Sequence, residues 1–183
     1  MSRFLIASDL HGDAECTSVL LERYASSGAE RLILLGDLLY HGPRNDLPAG
    51  YAPKKCIELL NGVKNELLCV RGNCDTEVDQ MVLTFPILAD YSIIAVDGLT
   101  FFVTHGHNFN LQKLPSMKAG DILLHGHTHV PAALEFGEGN LYVNPGSVSI
   151  PKESSPKSYI IYEDRKLSFC RLDDGSVYKE VIL

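Results

Sequence analysis

Five short apolar runs in this chain each stop at polar residues beside a glycine, and that repetition constrains its fold more than any other feature. FLIA gives way to Ser8-Asp9-Leu10-His11-Gly12, LILL to Gly36-Asp37, and LLCV to Arg71-Gly72-Asn73-Cys74-Asp75. FFVT runs into His105-Gly106-His107, and ILL into His125-Gly126-His127-Thr128-His129. Short apolar runs bounded by turn residues read as buried strands. In open α/β sheets, ligand sites gather at the carboxyl ends of the strands. All seven histidines lie in these turns or, for His41, just after one.

Taken singly, each turn has an ordinary explanation. Asp9 can cap a helix, Asp37 can form a turn, and Asn73 suits a left-handed turn position. The joint pattern asks for more. Carboxylate, imidazole and amide oxygen delivered from five strand ends form the donor set that two hard-to-borderline divalent cations require, with one carboxylate free to bridge them. Three of the histidines recur at every second position around Gly126, which in a continuous strand would aim them the same way. A glycine there predicts instead that the strand ends, so that the imidazoles crowd one strand end.

The order of elements follows from the spacing. RFLIA, RLILLG and ELLCVRG read as strands, separated by helical stretches at DAECTSVLLERYASSG, with Asp13 near its start and Gly28 closing it, and at Lys54–Asn61. Strand and helix in alternation predict parallel pairing with crossover helices. From Ser92 onward the texture is mostly β, with SIIAV and LTFFVT joined through Asp97-Gly98 as a hairpin and a second hairpin expected around Asp164 and Arg165. We read residues 1–183 as one α/β domain with two sheets packed face to face and helices outside.

Composition narrows the function. Hydrophobic residues make up 45% and charged residues 21%, which rules out a disordered chain. A net charge of -7 and the lack of a Lys/Arg cluster argue against a long nucleic acid as partner, although bound metal can invert the local field and admit a small anion. Five cysteines, an odd number without a C-x-x-C pair, fit a reduced, cytoplasmic setting. The opening MSRFLIASDLHG is too short in apolar residues for a signal peptide, and no run approaches membrane-spanning length, so no membrane association is expected.

The ordered motifs Asp9-x-His11, Gly36-Asp37, Gly72-Asn73-x-Asp75, His105 and Gly126-His127-x-His129 resemble the calcineurin-like metallophosphoesterase superfamily. The longer stretches GDLLYHGPRN, VRGNCD, HGHTH and NPGSVSIP are similar to its small bacterial branch, the YfcE-like phosphodiesterases, over essentially the whole chain. The resemblance implies a four-layer α/β/β/α sandwich, two mixed sheets flanked by helices, with a two-metal site between strand ends. Carried over position by position, it puts Asp9, His11, Asp37 and His129 around one ion and Asp37, Asn73, His105 and His127 around the other, with Asp37 bridging. His125 then has a supporting role, and His107 lies near the substrate. Asn73, Cys74, Asp75 and His107 are the candidate catalytic positions, with Asp75 orienting its neighbours. The resemblance favours Mn²⁺; the ligand types also suit Fe²⁺, Ni²⁺, Co²⁺ or Zn²⁺.

Two such ions, roughly 3.5–4 Å apart, can lower the pKa of a shared water and leave a bridging hydroxide poised for in-line attack on a small phosphodiester. Cys74 is a rival nucleophile, but no C-x5-R phosphate loop surrounds it. It also stands where many relatives place a histidine that protonates the leaving oxygen, and a neutral thiol is a weaker acid near pH 7. Tyr40 replaces the last Asp of G-D-x-x-D. Arg44 and Asn45 can reach a substrate phosphate or simply face solvent; Arg71 and the turn Asn144–Ser147 read as structural. Two other functions stay open: a phosphomonoesterase or nucleotidase of the same fold, and a non-catalytic scaffold like the superfamily's retromer subunit. The complete ligand set argues against the scaffold, and a homo-oligomer is possible.

Overall fold

The apolar runs do become strands, and their order in space follows from the crossovers. In the computed structural model, which describes residues 2–183, β1 (Arg3–Ala7), β2 (Arg31–Leu34) and β3 (Leu67–Cys69) pair in parallel. The connections are α1 (Ala14–Ser27) and α2 (Pro53–Gly62). Asp13 caps α1 by accepting the Cys16 N–H at 2.9 Å, and Gly28 closes it at φ 71°. Pro53 opens α2, where a missing N–H costs nothing.

The second half supplies β4 (Tyr91–Val96), β5 (Leu99–Thr104), β6 (Ile122–Leu124), β7 (Ala132–Phe136), β8 (Asn140–Asn144), β9 (Ser158–Glu163), β10 (Lys166–Arg171) and β11 (Val177–Ile182). Both expected hairpins are present. β4 and β5 turn through Asp97 and Gly98 at φ 50° and 75°, β9 and β10 through Asp164 and Arg165 at φ 48° and 59°. Paired left-handed residues match the right-handed twist of the flanking strands. Two mixed sheets result, in the orders β11-β10-β9-β1-β2-β3 and β4-β5-β6-β8-β7.

The sheets pack face to face through one apolar layer in which Ile6, Ile33, Leu35, Val70, Ile160 and Phe169 of the first meet Phe101, Val103, Ile122, Leu124 and Val143 of the second. Alternate residues Leu5, Ala7, Leu32 and Leu34 face the other way, against Leu20 and Tyr24 of α1 and Cys56 and Leu60 of α2. The expected pair of mixed sheets is therefore present, with the helices gathered on the outer face of the first. On the far face of the second sheet, Phe109 from the loop after β5 lies against Tyr91 and Phe102. That stretch, rich in Asn and Gly with Pro115, suits a loop rather than a helix.

Two elements have weak sequence signals. α3 (Glu77–Val82) is one and a half turns long and is held by a capping box between Thr76 and Asp79 and by Asn61, whose side chain bonds both Val82 and Thr84. β7 is an edge strand with Leu134 and Glu135 exposed, lacking the apolar density of the other runs. What matters for function is direction: β1, β2, β3, β5 and β6 all end at one rim, where the polar turns meet.

Ile33 is 2% exposed in the layer between the sheets. Ile33→Ala is expected to lower unfolding stability by about 2–5 kcal/mol in urea titration, whereas Ile93→Ala on the solvent side of β4 stays within about 0.5 kcal/mol.

Candidate metal centre

The turns at this rim bend through an unusual backbone. Asp9, His11, Asp37, His127 and His129 have φ of 59°, 49°, 56°, 67° and 62°, the left-handed region that disfavours residues with a Cβ. Each such residue costs on the order of 1–3 kcal/mol and persists only where its surroundings over-determine it. They are over-determined here. Asp9 N–H donates to Gly36 O at 3.1 Å and His11 N–H to Asp37 O at 2.9 Å, lacing the first two turns together. His127 N–H reaches across from the second sheet to Asp9 Oδ2 at 3.0 Å. The Ser147 and Ser149 hydroxyls both donate to Asp9 O, at 2.8 and 3.0 Å.

Asp75 fixes the Asp37 turn from beneath, accepting from Asp37 N and Gly72 N at 2.8 Å and from Leu38 N at 2.9 Å. It contacts backbone, not the open space of the site. Two of the glycines are dictated by close approach. A Cβ at Gly72 would strike the Asp37 carboxylate, and one at Gly126 would strike the Ser8 hydroxyl and the Asp9 carboxylate.

Three imidazoles are oriented in the same manner. Nδ1 of His11, His105 and His129 lies 2.7 Å from the carbonyl oxygens of Tyr40, Leu35 and Ile150. A carbonyl only accepts, so Nδ1 carries the hydrogen and Nε2 presents its lone pair to the site. Those lone pairs converge. Asp9 Oδ1, buried and without a hydrogen-bond donor, faces His11 Nε2 at 3.5 Å and His129 Nε2 at 3.3 Å, and the two Nε2 atoms lie 3.3 Å apart. A second group contains His105 Nε2, Asn73 Oδ1 and His127 Nδ1, with His105 Nε2 3.1 Å from the amide oxygen and 3.2 Å from His127. Asp37 Oδ2 stands between the groups, 3.7 Å from His11 Nε2 and 3.4 Å from His105 Nε2, while its other oxygen accepts the Cys74 N–H.

Facing lone pairs repel unless something positive lies between them. Donor atoms bound about 2.0–2.2 Å from one cation in octahedral or tetrahedral array sit roughly 2.8–3.6 Å from one another, which spans the 3.1–3.5 Å seen within the two groups. The residues present therefore fit divalent ions. The local field agrees: burial alone would raise the Asp9 carboxyl, but facing His11 and His129 hold it well below the usual range. Asp37 is lowered against its burial by His105. For His105, burial works downward and is outweighed by Asp37 and Asp9, so it is pushed up to about 9, and a cation at Nε2 would compete with that proton. Burial drives His127 down to about 4, and its neighbour His105 works in the same direction.

The structure thus brings all seven anticipated ligand positions to one place and sets the other candidates around them. His125 packs with its ring tilted 31° against that of Tyr142 at 4.4 Å and its ring nitrogen on Gly126 O, and burial pushes it down to about 4. His107 is half-buried with its ring 5.4 Å from that of His105 and borders a cavity of about 340 Å³ with Asn110, Thr128 and Tyr142. Cys74 is buried beside Asp37, and burial followed by the Asp37 charge pushes its thiol up, leaving it a neutral, poor nucleophile. Arg71 donates to Asp75 O, a structural role. Asn144 buttresses the histidine turn through Gly126 O and Thr128, as the Asn-Pro-Gly-Ser turn suggests.

Some participants have no sequence signature. Lys152 lines the mouth of the site with Arg44, Asn45 and His129, although it lies 108 positions from Arg44 in sequence (152 minus 44). The carbonyls of Tyr40 and Ile150 orient histidines, and any residue type can supply a carbonyl.

Residues 2–166 match the calcineurin-like phosphoesterase superfamily domain. The chain is 47% identical over 183 residues to phosphodiesterase YfcE of Escherichia coli K12, covering 100% of this chain and 99% of that protein. The structure of YfcE, described as a phosphoesterase from E. coli, superposes with a TM-score of 0.94 over 98% of each chain. The vacuolar protein sorting 29 protein of Entamoeba histolytica, solved with Zn²⁺, shares the fold at 22% identity, with a TM-score of 0.64 over 98% of each chain. A domain match across nearly the whole chain, joined to a full-length relative at this identity and to the carboxylate and imidazole turns described above, makes the protein a member of the calcineurin-like phosphoesterase superfamily.

Proposed function

We propose that this protein is a metal-dependent phosphodiesterase acting on a small phosphodiester, with two divalent ions, Mn²⁺ foremost, held by Asp9, His11, Asp37, Asn73, His105, His127 and His129. One observation carries this reading: two groups of lone-pair atoms meet at a shared carboxylate oxygen of Asp37. The similarity to the E. coli phosphodiesterase supports the choice of a diester. When bound, such ions supply an activated water for in-line attack and positive charge against the phosphoryl oxygens.

The chain's own residues do the rest. Asp37 joins the two halves of the site, and Asp75 holds its turn so that the carboxylate cannot swing away. Arg44 and Lys152 at the mouth attract the phosphate and keep its free oxygens oriented. Cys74 takes the position from which an acid would protonate the leaving oxygen and, as a neutral thiol, gives little help, so esters that depart unaided are favoured. The two cations at the mouth also carry the second reading, a phosphomonoesterase, whose substrate bears one more negative charge. Residues 1–183 act as one domain in this reading, and five free cysteines suit the reducing cytoplasm.

Metal-stripped protein supplied with Mn²⁺, Ni²⁺, Zn²⁺ or Mg²⁺ is expected to regain hydrolysis of bis(p-nitrophenyl) phosphate above that of p-nitrophenyl phosphate, and Asp37→Ala should reduce it to background. A preference for the monoester selects the second reading. Folded protein that binds the metals and hydrolyses neither would overturn both.

Cys74→His should raise kcat on alkyl phosphodiesters by about tenfold or more, within the usual reach of general-acid catalysis, and raise it less on nitrophenyl diesters. Equal effects on the two substrate types would remove the leaving-group argument.

A further inference from the structure

Tyr40 and Cys74, from two turns more than thirty residues apart, line the same groove. It has a volume of about 380 Å³ and is walled by Tyr40, Tyr51, Ile57, Cys74, Val78 and Val82. Its inner end touches the metal centre: Cys74 Sγ lies within 4.8 Å of the donor atoms of both His11 and Asp37. Cys74 also lines the narrow mouth that holds Asp37, Asn73 and Arg44, so the polar site and the apolar groove share one wall.

The walls come from separate parts of the chain. Tyr40 follows the Asp37 turn, and its backbone carbonyl holds His11 in place. Tyr51 lies in the segment before α2 and Ile57 in the middle of that helix. Val78 and Val82 lie one turn apart on α3 and face the groove, which leaves Val78 69% exposed although it is a large apolar residue. Exposed apolar side chains around one concave opening mark a binding site more often than scattered ones do. The charged residues at the edge, Lys54 and Asp79, have opposite signs, and Asp79 is committed to the Thr76 cap. The groove therefore offers flat apolar contact with no net charge.

We propose that this groove receives an uncharged aromatic ester arm of the substrate, with the phosphorus at the metal centre and Cys74 at the junction; this rests on the phosphodiester reading above. Tyr40 and Val78 are then specificity-determining residues. An imidazole at position 74 or a carboxylate at position 40 would put a polar group into the apolar wall and weaken that contact. Aromatic rings stack readily on the tyrosine faces and pack against the valines.

The test compares phenylphosphonate with methylphosphonate by calorimetry on Mn²⁺-loaded protein, which needs no turnover. Phenylphosphonate should bind about tenfold more tightly, consistent with burial of one apolar ring. Val78→Glu should erase most of that ratio, and Tyr40→Ala should reduce it. Met81→Glu, on the same short helix but outside the groove, should leave the ratio unchanged. Equal affinity of the two phosphonates for wild-type protein, or binding of neither, would overturn the proposal. So would a change of oligomeric state in Val78→Glu on sedimentation with the ratio intact, because the groove would then be an interface between copies. Loss of the phosphodiesterase reading looks different: the phenyl preference would remain while no diester is hydrolysed with any metal.

Discussion

The structure depends on one electrostatic arrangement, a set of lone pairs pressed together at the rim where five parallel-running strands end. Asp9 Oδ1, His11 Nε2 and His129 Nε2 lie within 3.3–3.5 Å of one another, while Nδ1 of both rings is turned to a backbone carbonyl. Such an arrangement is repulsive by itself and favourable around a cation. The rest of the fold supplies the constraint that keeps it from relaxing. Backbone carbonyls hold three imidazoles by Nδ1, serine hydroxyls hold the Asp9 backbone, and Asp75 holds the Asp37 turn.

Holding the groups demands strain, and the strain is distributed. Five of the seven proposed ligands sit at positive φ. These left-handed residues lie two to five positions beyond the ends of β1, β2 and β6 and bend the chain sharply there. Interlocking turns make this tolerable, because each left-handed residue bonds a neighbour from another turn. Close packing of Gly72 on Asp37 and of Gly126 on Ser8 and Asp9 leaves no room for alternatives.

The core serves the same end. Ile33, Val70, Phe101 and Leu124 lock the two sheets face to face, and this sets the distance between the Asp9 and Asp37 turns of one sheet and the histidine turns of the other. Helices on one outer face and a loop with Phe109 on the other show that the site needs only the aligned strand ends, not matched layers outside them. On the helical side, α2 and α3 leave the apolar groove that runs up to Cys74.

Much of this was legible in the residues themselves. Apolar runs bounded by glycine marked the strands, Asp97-Gly98 marked a hairpin, and alternation of strand and helix marked the parallel pairing, because these signals are local and backbone propensity dominates them. α3 and β7 were not legible: one is a six-residue helix that depends on its Thr76–Asp79 cap and a bond from distant Asn61, the other lies on a free edge. The donor types and their order along the chain were determined by sequence alone, since chemistry at a strand end needs only residue identity and spacing. Tertiary structure alone decided which ring nitrogen faces the site, that Asp37 Oδ2 stands between two groups, that Lys152 joins Arg44 at the mouth, and that Tyr40 and Cys74 share a wall. Those relations run between turns far apart in the chain, and only packing of the two sheets fixes distances across them.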